Sequence, residues 1–288
     1  MFRVLLITMY VLGISTAGAI VYYGWDYYSL PLPDRPHDDL HAILKPGGLW
    51  GHGMGIAGSS LVILMFLYSV RKRELCCVRF GSMRRWLDLH IWCGIMGPLF
   101  ITLHTAGKFG GVVSISFFSM IMVVLSGFIG RYIYMAIPRD EEGHALSMQE
   151  ISGRIDKLGR RLVHEDKVSD LVITRINKYV AAGNRQVETA GAALRVLVVA
   201  DLLRPWRTRK LRRFLRLRPH RLPWGTVRHV VALARRQRML TRRRAMLTAL
   251  NSVFHLWHVF HKPFAVVMIV IMFLHIFVTT LMGSHWVF

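Results

Sequence analysis

The sequence predicts an all-α, polytopic membrane protein: a bundle of about five transmembrane helices with a basic, helical cytoplasmic insert. Two features of its composition indicate this class. The chain of 288 residues is 53% hydrophobic, yet it carries 38 Lys and Arg against 16 Asp and Glu, a formal net charge of +22. A single soluble domain does not combine such apolarity with such charge, whereas apolar spans separated from a basic aqueous portion do.

Five apolar stretches are each long enough to cross about 30 Å of hydrocarbon, which takes about 20 helical residues. They are uninterrupted rather than alternating, which favours helices, and helices satisfy all their backbone polar groups within lipid. The predicted spans are residues 4–23, 49–70, 86–106, 112–136 and 252–282. The first could instead be a secretory signal, because Arg3 precedes its apolar core and small residues follow at 17–19. We expect it to be a membrane helix.

The distribution of Lys and Arg between the loops predicts the orientation, since cytoplasmic loops carry the excess. The loop after the first span holds four Asp against one Arg and one Lys, whereas residues 71–85 hold six basic residues. We therefore expect the amino terminus inside and the carboxyl terminus outside, in a bacterial cytoplasmic membrane. The predicted organisation is 1–137 with four transmembrane helices, 138–246 as the basic insert, and 247–288 with the fifth helix and a short outer tail.

The cysteines restrict the cofactors. Cys76, Cys77 and Cys93 are the three in the chain, and they form neither a C-x-x-C-H haem-attachment site nor a paired C-x-x-C set. Covalent c-type haem and tetrathiolate iron–sulfur clusters are therefore excluded from this chain.

Four histidines within two spans carry the main prediction. His90 and His104 lie in the third span, and His261 and His275 lie in the fifth, each pair fourteen residues apart. Fourteen residues return a helix to within roughly 40° of its starting direction and advance it by about 21 Å, so each pair shares one face. Both helices are expected to run from the cytoplasm to the outside. We therefore expect two levels within the membrane, with His90 facing His261 near the inner surface and His104 facing His275 near the outer surface. Two facing imidazoles are what six-coordinate haem iron requires.

The inner ligand on the fifth span has an alternative. Relative to His275, His258 is about 100° off the ligand face and His255 is on roughly the opposite side, whereas His261 repeats the register of the third span. We predict His261 as the inner ligand and keep His258 as the alternative. His255 and His258 are otherwise expected at headgroup level, near haem propionates, lipid or the aqueous domain.

The paired histidines at this spacing resemble those of the diheme cytochrome b families. These are the cytochrome b of quinol:cytochrome c reductases, the ferric-reductase and NADPH-oxidase-like proteins, and the cytochrome b anchors of membrane hydrogenases and formate dehydrogenases. The resemblance covers the four later spans and lies in spacing rather than in a distinctive string. It implies two haem b groups, with a third possible, transmembrane electron transfer and quinone chemistry. The large insert before the fifth span departs from all of these families.

Several neighbouring residues are candidates for contacts with the haems. Gly94 and Gly97 lie between the third-span histidines, where small side chains would let a macrocycle approach the helix or simply let helices pack. Arg131, at the cytoplasmic end of the fourth span, and Lys108, in the outer loop before it, could neutralise propionates or serve as ordinary interfacial cations.

His52 opens the second span between two glycines. It could contact a quinone and exchange protons with it, since the pKa range of histidine suits that role. It could instead ligate a further haem together with His37, His41 or His285, or be an interfacial structural residue.

The insert is too polar to enter lipid. Ser147 and Glu150 predict a capping box before an amphipathic helix, and further helices are expected at 168–180 and 192–203. Residues 204–244 contain sixteen Arg and Lys and no acid. Such a segment favours anionic lipid headgroups, or docking of an acidic redox partner, over nucleic acid, for which no recognition module is present. No G-x-G-x-x-G or P-loop occurs, so flavin or nicotinamide sites are not expected.

We therefore expect an electron-transfer subunit of a respiratory or photosynthetic membrane oxidoreductase, rather than a complete enzyme. It would connect a quinone pool with partner subunits through two bis-histidine b haems, whose redox chemistry belongs to the cofactor. Two other classes are alternatives. A histidine-containing transporter or proton channel would have no visible absorbance, and a purely structural anchor for a partner complex would tolerate replacement of every membrane histidine.

Overall fold

The computed structural model describes residues 1–73, 81–139, 145–164, 170–184, 186–187, 189–216 and 223–282. Cys76, Cys77 and the candidate ligand His285 lie outside these residues. The chain divides into two compact units, Met1–Phe128 with Val259–Phe288 and Ile129–His258.

The described chain is helical, with no strand, which confirms the predicted all-α class. The helices are α1 (Phe2–Tyr23), α2 (Trp25–Ser29), α3 (His41–Leu44), α4 (Leu49–Lys72), α5 (Met83–Thr105), α6 (Gly111–Ala136), α7 (Met148–His164), α8 (Asp170–Ala181), α9 (Ala190–Leu202), α10 (Arg204–Arg216), α11 (Trp224–Ala245) and α12 (Leu247–Leu281), with a 3₁₀ turn at Arg35–His37.

Five stretches are long and apolar enough to cross a membrane, so the chain is an integral, multi-pass membrane protein. They are α1, the stretch His41–Lys72 that comprises α3 and α4, α5, α6 and α12. Many apolar side chains of α1, α4, α6 and α12 are exposed in the isolated chain, as expected for surfaces that contact lipid. α12 begins at Leu247, five residues before the predicted span, and its 35 residues extend over about 52 Å, well beyond the hydrocarbon thickness.

In the first unit, α4 and α5 form a close antiparallel pair. A Cβ atom on Gly97 of α5 would lie 3.2 Å from the carbonyl oxygen of Gly58 on α4, and one on Gly94 would lie 3.4 Å from Sδ of Met65. Glycine at position 97 therefore allows the two backbones to approach, whereas the Gly94 distance is an ordinary contact with a flexible side chain. α1 also packs on α5 and runs parallel to it, with Gly13 against Met96.

An apolar cluster joins α4, α6 and α12 in the same unit. Its buried members are Val62, Met120, Met268 and Met272. α6 and α12 run antiparallel, and the Ser116 hydroxyl donates a hydrogen bond of 2.8 Å to the Met268 carbonyl. The backbones of these three helices are not in close contact, and methionine side chains fill the irregular space between them.

The segment between α1 and α4 folds around Arg35, which is only 7% exposed. Its guanidinium donates hydrogen bonds to three carbonyl oxygens, those of Leu30, Tyr28 and Ala106. Ala106 has a φ of +46° and ends α5 in the left-handed conformation. Arg35 therefore attaches the segment to the carboxyl end of α5.

The second unit has a core of its own, made by α7, α8, α10 and α11. α7 begins with the predicted capping box: the Ser147 amide donates to the Glu150 carboxylate at 2.8 Å, and the Glu150 amide donates to Ser147 Oγ at 3.2 Å. Ile151 and Leu158 of α7 are buried in this core, as the amphipathic pattern predicts. The predicted helices at 168–180 and 192–203 correspond to α8 and α9.

Asp201, the last acidic residue of the sequence, connects three helices of this unit. Its carboxylate accepts a hydrogen bond from the Tyr132 hydroxyl on α6 at 3.1 Å and forms an ion pair with Arg242 on α11 at 3.0 Å. Because Asp201 is on α9, one carboxylate fixes the ends of α6 and α11 to this helix.

Candidate functional site

The two histidines of α5 both bond to the backbone of α4. His90 Nδ1 lies 3.1 Å from the carbonyl oxygen of Met65, and His104 Nδ1 lies 2.8 Å from that of Gly51. The two carbonyls are fourteen residues apart, as are the two histidines. The regular antiparallel packing of α4 on α5 therefore supplies an equivalent acceptor at both levels.

These bonds decide which ring nitrogen carries the proton. A backbone carbonyl can only accept, so Nδ1 of His90 and of His104 must be the donor. In the neutral imidazole the lone pair then lies on Nε2. Histidines that bind metals through Nε2 almost always donate the other N–H to a carbonyl or carboxylate in this way.

His261 on α12 is positioned by Ser126 on α6. Nδ1 of His261 lies 2.8 Å from Ser126 Oγ, which is also 2.9 Å from the Val123 carbonyl oxygen. A hydroxyl can donate to either partner, so this contact fixes the position of the ring, whereas the carbonyl partners of His90 and His104 also fix the tautomer.

His275 of α12 and His52 of α4 both interact electrostatically with His104. The pairing of His104 with His275 as ligands stays a prediction. For His90 the contacts are the Met65 carbonyl and the Tyr68 ring, whose centroid is 5.1 Å away. The pairing of His90 with His261 stays a prediction.

The ring of His104 lies directly against the backbone of α4. A Cβ atom on Gly55 would be 2.7 Å from Nδ1 and 2.9 Å from Cε1 of this ring, which is closer than a real contact allows. Glycine at position 55 is therefore required for the observed ring position. The spacing of histidines did not reveal this residue, although the glycine-rich start of α4 is the signal that could have.

The predicted alternative ligand, His258, belongs to the second unit. Its Nδ1 bonds to the Phe254 carbonyl of its own helix at 2.8 Å, and its ring packs edge-on against Phe254 and Trp257. This histidine is thus positioned by its own helix turn, whereas His261 is positioned by a neighbouring helix. The choice between the two as inner ligand stays a prediction.

The remaining candidates have varied surroundings. Gly94 and Gly97 face α4, where Gly97 serves the close packing described above. Lys108 is exposed just after the carboxyl end of α5, and Arg131 is partly buried on α6. Their proposed contacts with propionates stay predictions.

Sequence reasoning missed the partners that orient the rings. Two are backbone carbonyls, which no residue type marks, and the third is Ser126, one of several serines in α6. Nothing in the sequence distinguishes Ser126 until α6 is placed antiparallel to α12.

Among the residues that the structure describes, no three His, Cys, Asp or Glu side chains come together as a metal-binding group. A bis-histidine haem needs only two side chains for each iron, so pairs are the arrangement that matters here. No protein-family model matches the chain, and comparisons with curated proteins and with solved structures also give no match.

Proposed function

We propose that this protein is a membrane cytochrome b subunit that carries electrons across the bilayer through two bis-histidine b haems, between a quinone pool and a redox partner. The proposed axial ligands are His90 with His261 and His104 with His275. We further propose a bacterial cytoplasmic membrane, with the amino terminus on the cytoplasmic side.

The observation that carries the proposal is that Nδ1 of three of the four histidines is hydrogen-bonded to a neighbouring helix. His90 and His104 donate Nδ1–H to carbonyl oxygens of α4, and Nδ1 of His261 bonds to the Ser126 hydroxyl of α6. With Nδ1 engaged in this way, Nε2 is the nitrogen that could bind a metal at all three positions. The donor set fits haem iron, which binds neutral imidazole nitrogen.

The spacing of the helices is also suitable. Among the described residues, the backbones of α5 and α12 hardly approach within 8 Å, whereas α4 and α5 do so along their length. Helices in direct contact have axes 8–10 Å apart, so the wider separation suits a flat group inserted between α5 and α12. The haem would supply one-electron redox chemistry when bound.

The residues of the chain would orient the ligands and exclude water. The bonds to Met65, Gly51 and Ser126 fix the ring orientations and raise the basicity of the ligating nitrogens. The apolar cluster of Val62, Met120, Met268 and Met272 would keep the space between the two levels dry. His52, close to His104, is our candidate for a contact with quinone.

The test is a dithionite-reduced minus oxidised visible spectrum of the purified protein, with haem quantified per chain. We expect about two b haems for each chain. The variants H104A and H275A should each lose one haem and keep the other. H229A, at an exposed position on α11, is the matched control and should keep both. A colourless wild-type protein, or variants at His104 and His275 with unchanged haem content, would refute the proposal.

A further inference from the structure

Four arginines form one face of α10 in the second unit. They are Arg209, Arg212, Arg213 and Arg216, spaced at i, i+3, i+4 and i+7, and they line a pocket of about 380 Å³. On a helix this spacing places neighbouring side chains about 5–6 Å apart over a length of about 10 Å. The opposite face of α10, with Thr208, Leu211 and Leu215, is buried.

Among the residues that the structure describes, no acidic side chain pairs with these charges. The sequence contains no Asp or Glu after Asp201, and Asp201 itself is paired with Tyr132 and Arg242. In the described part of the chain, none of the four guanidinium groups of this face has an ion-pair partner. Nε of Arg212 is buried there without a hydrogen-bond partner.

The guanidinium groups are nevertheless partly ordered. Arg212 and Arg216 both lie over the ring of Trp224, the first residue of α11, with distances of 5.6 Å and 4.3 Å from the guanidinium carbon to the ring centroid. Stacking on an aromatic ring limits the motion of an arginine while leaving its N–H groups able to bind. Like charges at this spacing repel each other by about 0.2–0.5 kcal/mol for each pair, so an anion that bridges them stabilises the helix.

We propose that this face of α10 is a binding site for the phosphate groups of anionic phospholipids. Arginine binds phosphate through paired N–H donors, and four such groups within about 10 Å can hold one headgroup or two adjacent ones. Lipid is the expected source because apolar side chains beside the arginines are exposed. Trp206 is 62% exposed, Leu202 is 72% exposed, and Trp224 is 45% exposed.

Tryptophan and leucine next to arginine are typical of surfaces that lie at a membrane–water interface. A site for a soluble phosphate compound would not need these exposed apolar neighbours. The site is independent of the haem ligands, since all four arginines and Trp224 belong to the second unit.

The test uses the full-length protein, purified in detergent and mixed with phosphatidylglycerol or phosphatidylcholine. Retained lipid is counted by native mass spectrometry. The test variant replaces Arg209, Arg212, Arg213 and Arg216 by Gln. A control variant removes the same charge from exposed or partly exposed positions elsewhere in the second unit, at Arg154, Lys157, Arg160 and Arg236. Circular dichroism establishes that both variants keep the helical content of the wild type.

We expect the wild type and the control variant to retain phosphatidylglycerol in preference to phosphatidylcholine, and the α10 variant to lose at least 10-fold in this preference. Equal retention by the α10 and control variants would overturn the proposal, because net charge alone would then explain binding. A parallel thermal-shift titration with inorganic phosphate distinguishes the source. Stabilisation by phosphate that equals that by phosphatidylglycerol would overturn the assignment to lipid.

If the α10 variant does not fold, the single substitutions R209Q and R213Q provide the measurement. These two residues are exposed and make no contact with Trp224 among those described. Each should weaken retention of phosphatidylglycerol by roughly 5-fold, since each basic residue near an anionic surface contributes about 1 kcal/mol. Unchanged retention in both would contradict the proposal.

Discussion

Replacement of Gly55 by Ala should selectively disturb the outer histidine pair. The new methyl group would lie 2.7 Å from Nδ1 and 3.0 Å from Cγ of His104. These atoms belong to a rigid ring held between two helices, so the ring cannot move away as the end of a flexible side chain would. It must rotate or shift, and the bond from Nδ1 to the Gly51 carbonyl is then lost.

The size of the effect follows from three contributions. Overpacking costs about 1–3 kcal/mol, and the lost hydrogen bond costs about 0.5–1.5 kcal/mol. Replacing Gly by Ala within a helix stabilises the helix by about 1 kcal/mol, which offsets part of this cost. The net cost is about 0.5–3.5 kcal/mol, and it acts on the position of one proposed axial ligand. The affinity for the outer haem should therefore fall roughly 2- to 400-fold.

The assay is the haem content of the purified variant after extensive washing, together with a redox titration of the haem that remains. G55A should retain about one haem for each chain, with the inner haem unchanged in potential. The matched control is G127A, because a Cβ atom on Gly127 of α6 meets nothing within 4 Å. If G55A kept both haems at wild-type potentials, as G127A should, His104 would not be an axial ligand held in the observed position.

Two further substitutions test other contacts. S126A removes the hydrogen-bond partner of Nδ1 of His261. A His261 that binds iron through Nε2 donates Nδ1–H to this partner, so its loss makes the ligand less basic, and the midpoint potential of the inner haem should rise by roughly 20–60 mV, which corresponds to about 0.5–1.5 kcal/mol. S114A, which removes a bond within α6 only, should leave both potentials unchanged. In the second unit, G130A drives a methyl group into the Trp257 ring and should lower thermal stability by about 1–3 kcal/mol, measured against G127A on the same helix. A G130A protein as stable as that control would contradict the packing described.

The helical class and the number of apolar spans were predictable because few backbone structures are stable within lipid. An apolar run of sufficient length must satisfy its own backbone hydrogen bonds, and the helix does so locally. The capping box at Ser147 and Glu150 was predictable for the same reason, since both residues are close in sequence. The start of α12 at Leu247 was not predictable from the sequence. An apolar run indicates which part of a helix lies within lipid, but it does not indicate how far the helix continues beyond it.

The candidate site was only partly predictable from sequence. The histidines themselves stand out, because an imidazole in an apolar span is conspicuous. Their orientation depends on neighbours that only tertiary packing selects. The carbonyls of Gly51 and Met65 become acceptors because α4 is antiparallel to α5, and that register is set by contacts between glycines such as Gly58 and Gly97.

The two proposed ligand helices are held differently, and this has a consequence for function. On α5, both rings bond to the backbone of α4, which is fixed by its own helix and cannot rotate away. On α12, His261 bonds to a serine side chain, which has rotational freedom of its own. We therefore expect α5 and α4 to form the rigid half of the site, with its ligands oriented before haem binds, and α12 to supply the ligands that adjust. Preorganised ligands lower the entropy lost on binding, so variants that disturb the α4–α5 pair should reduce haem affinity more than variants that affect α12.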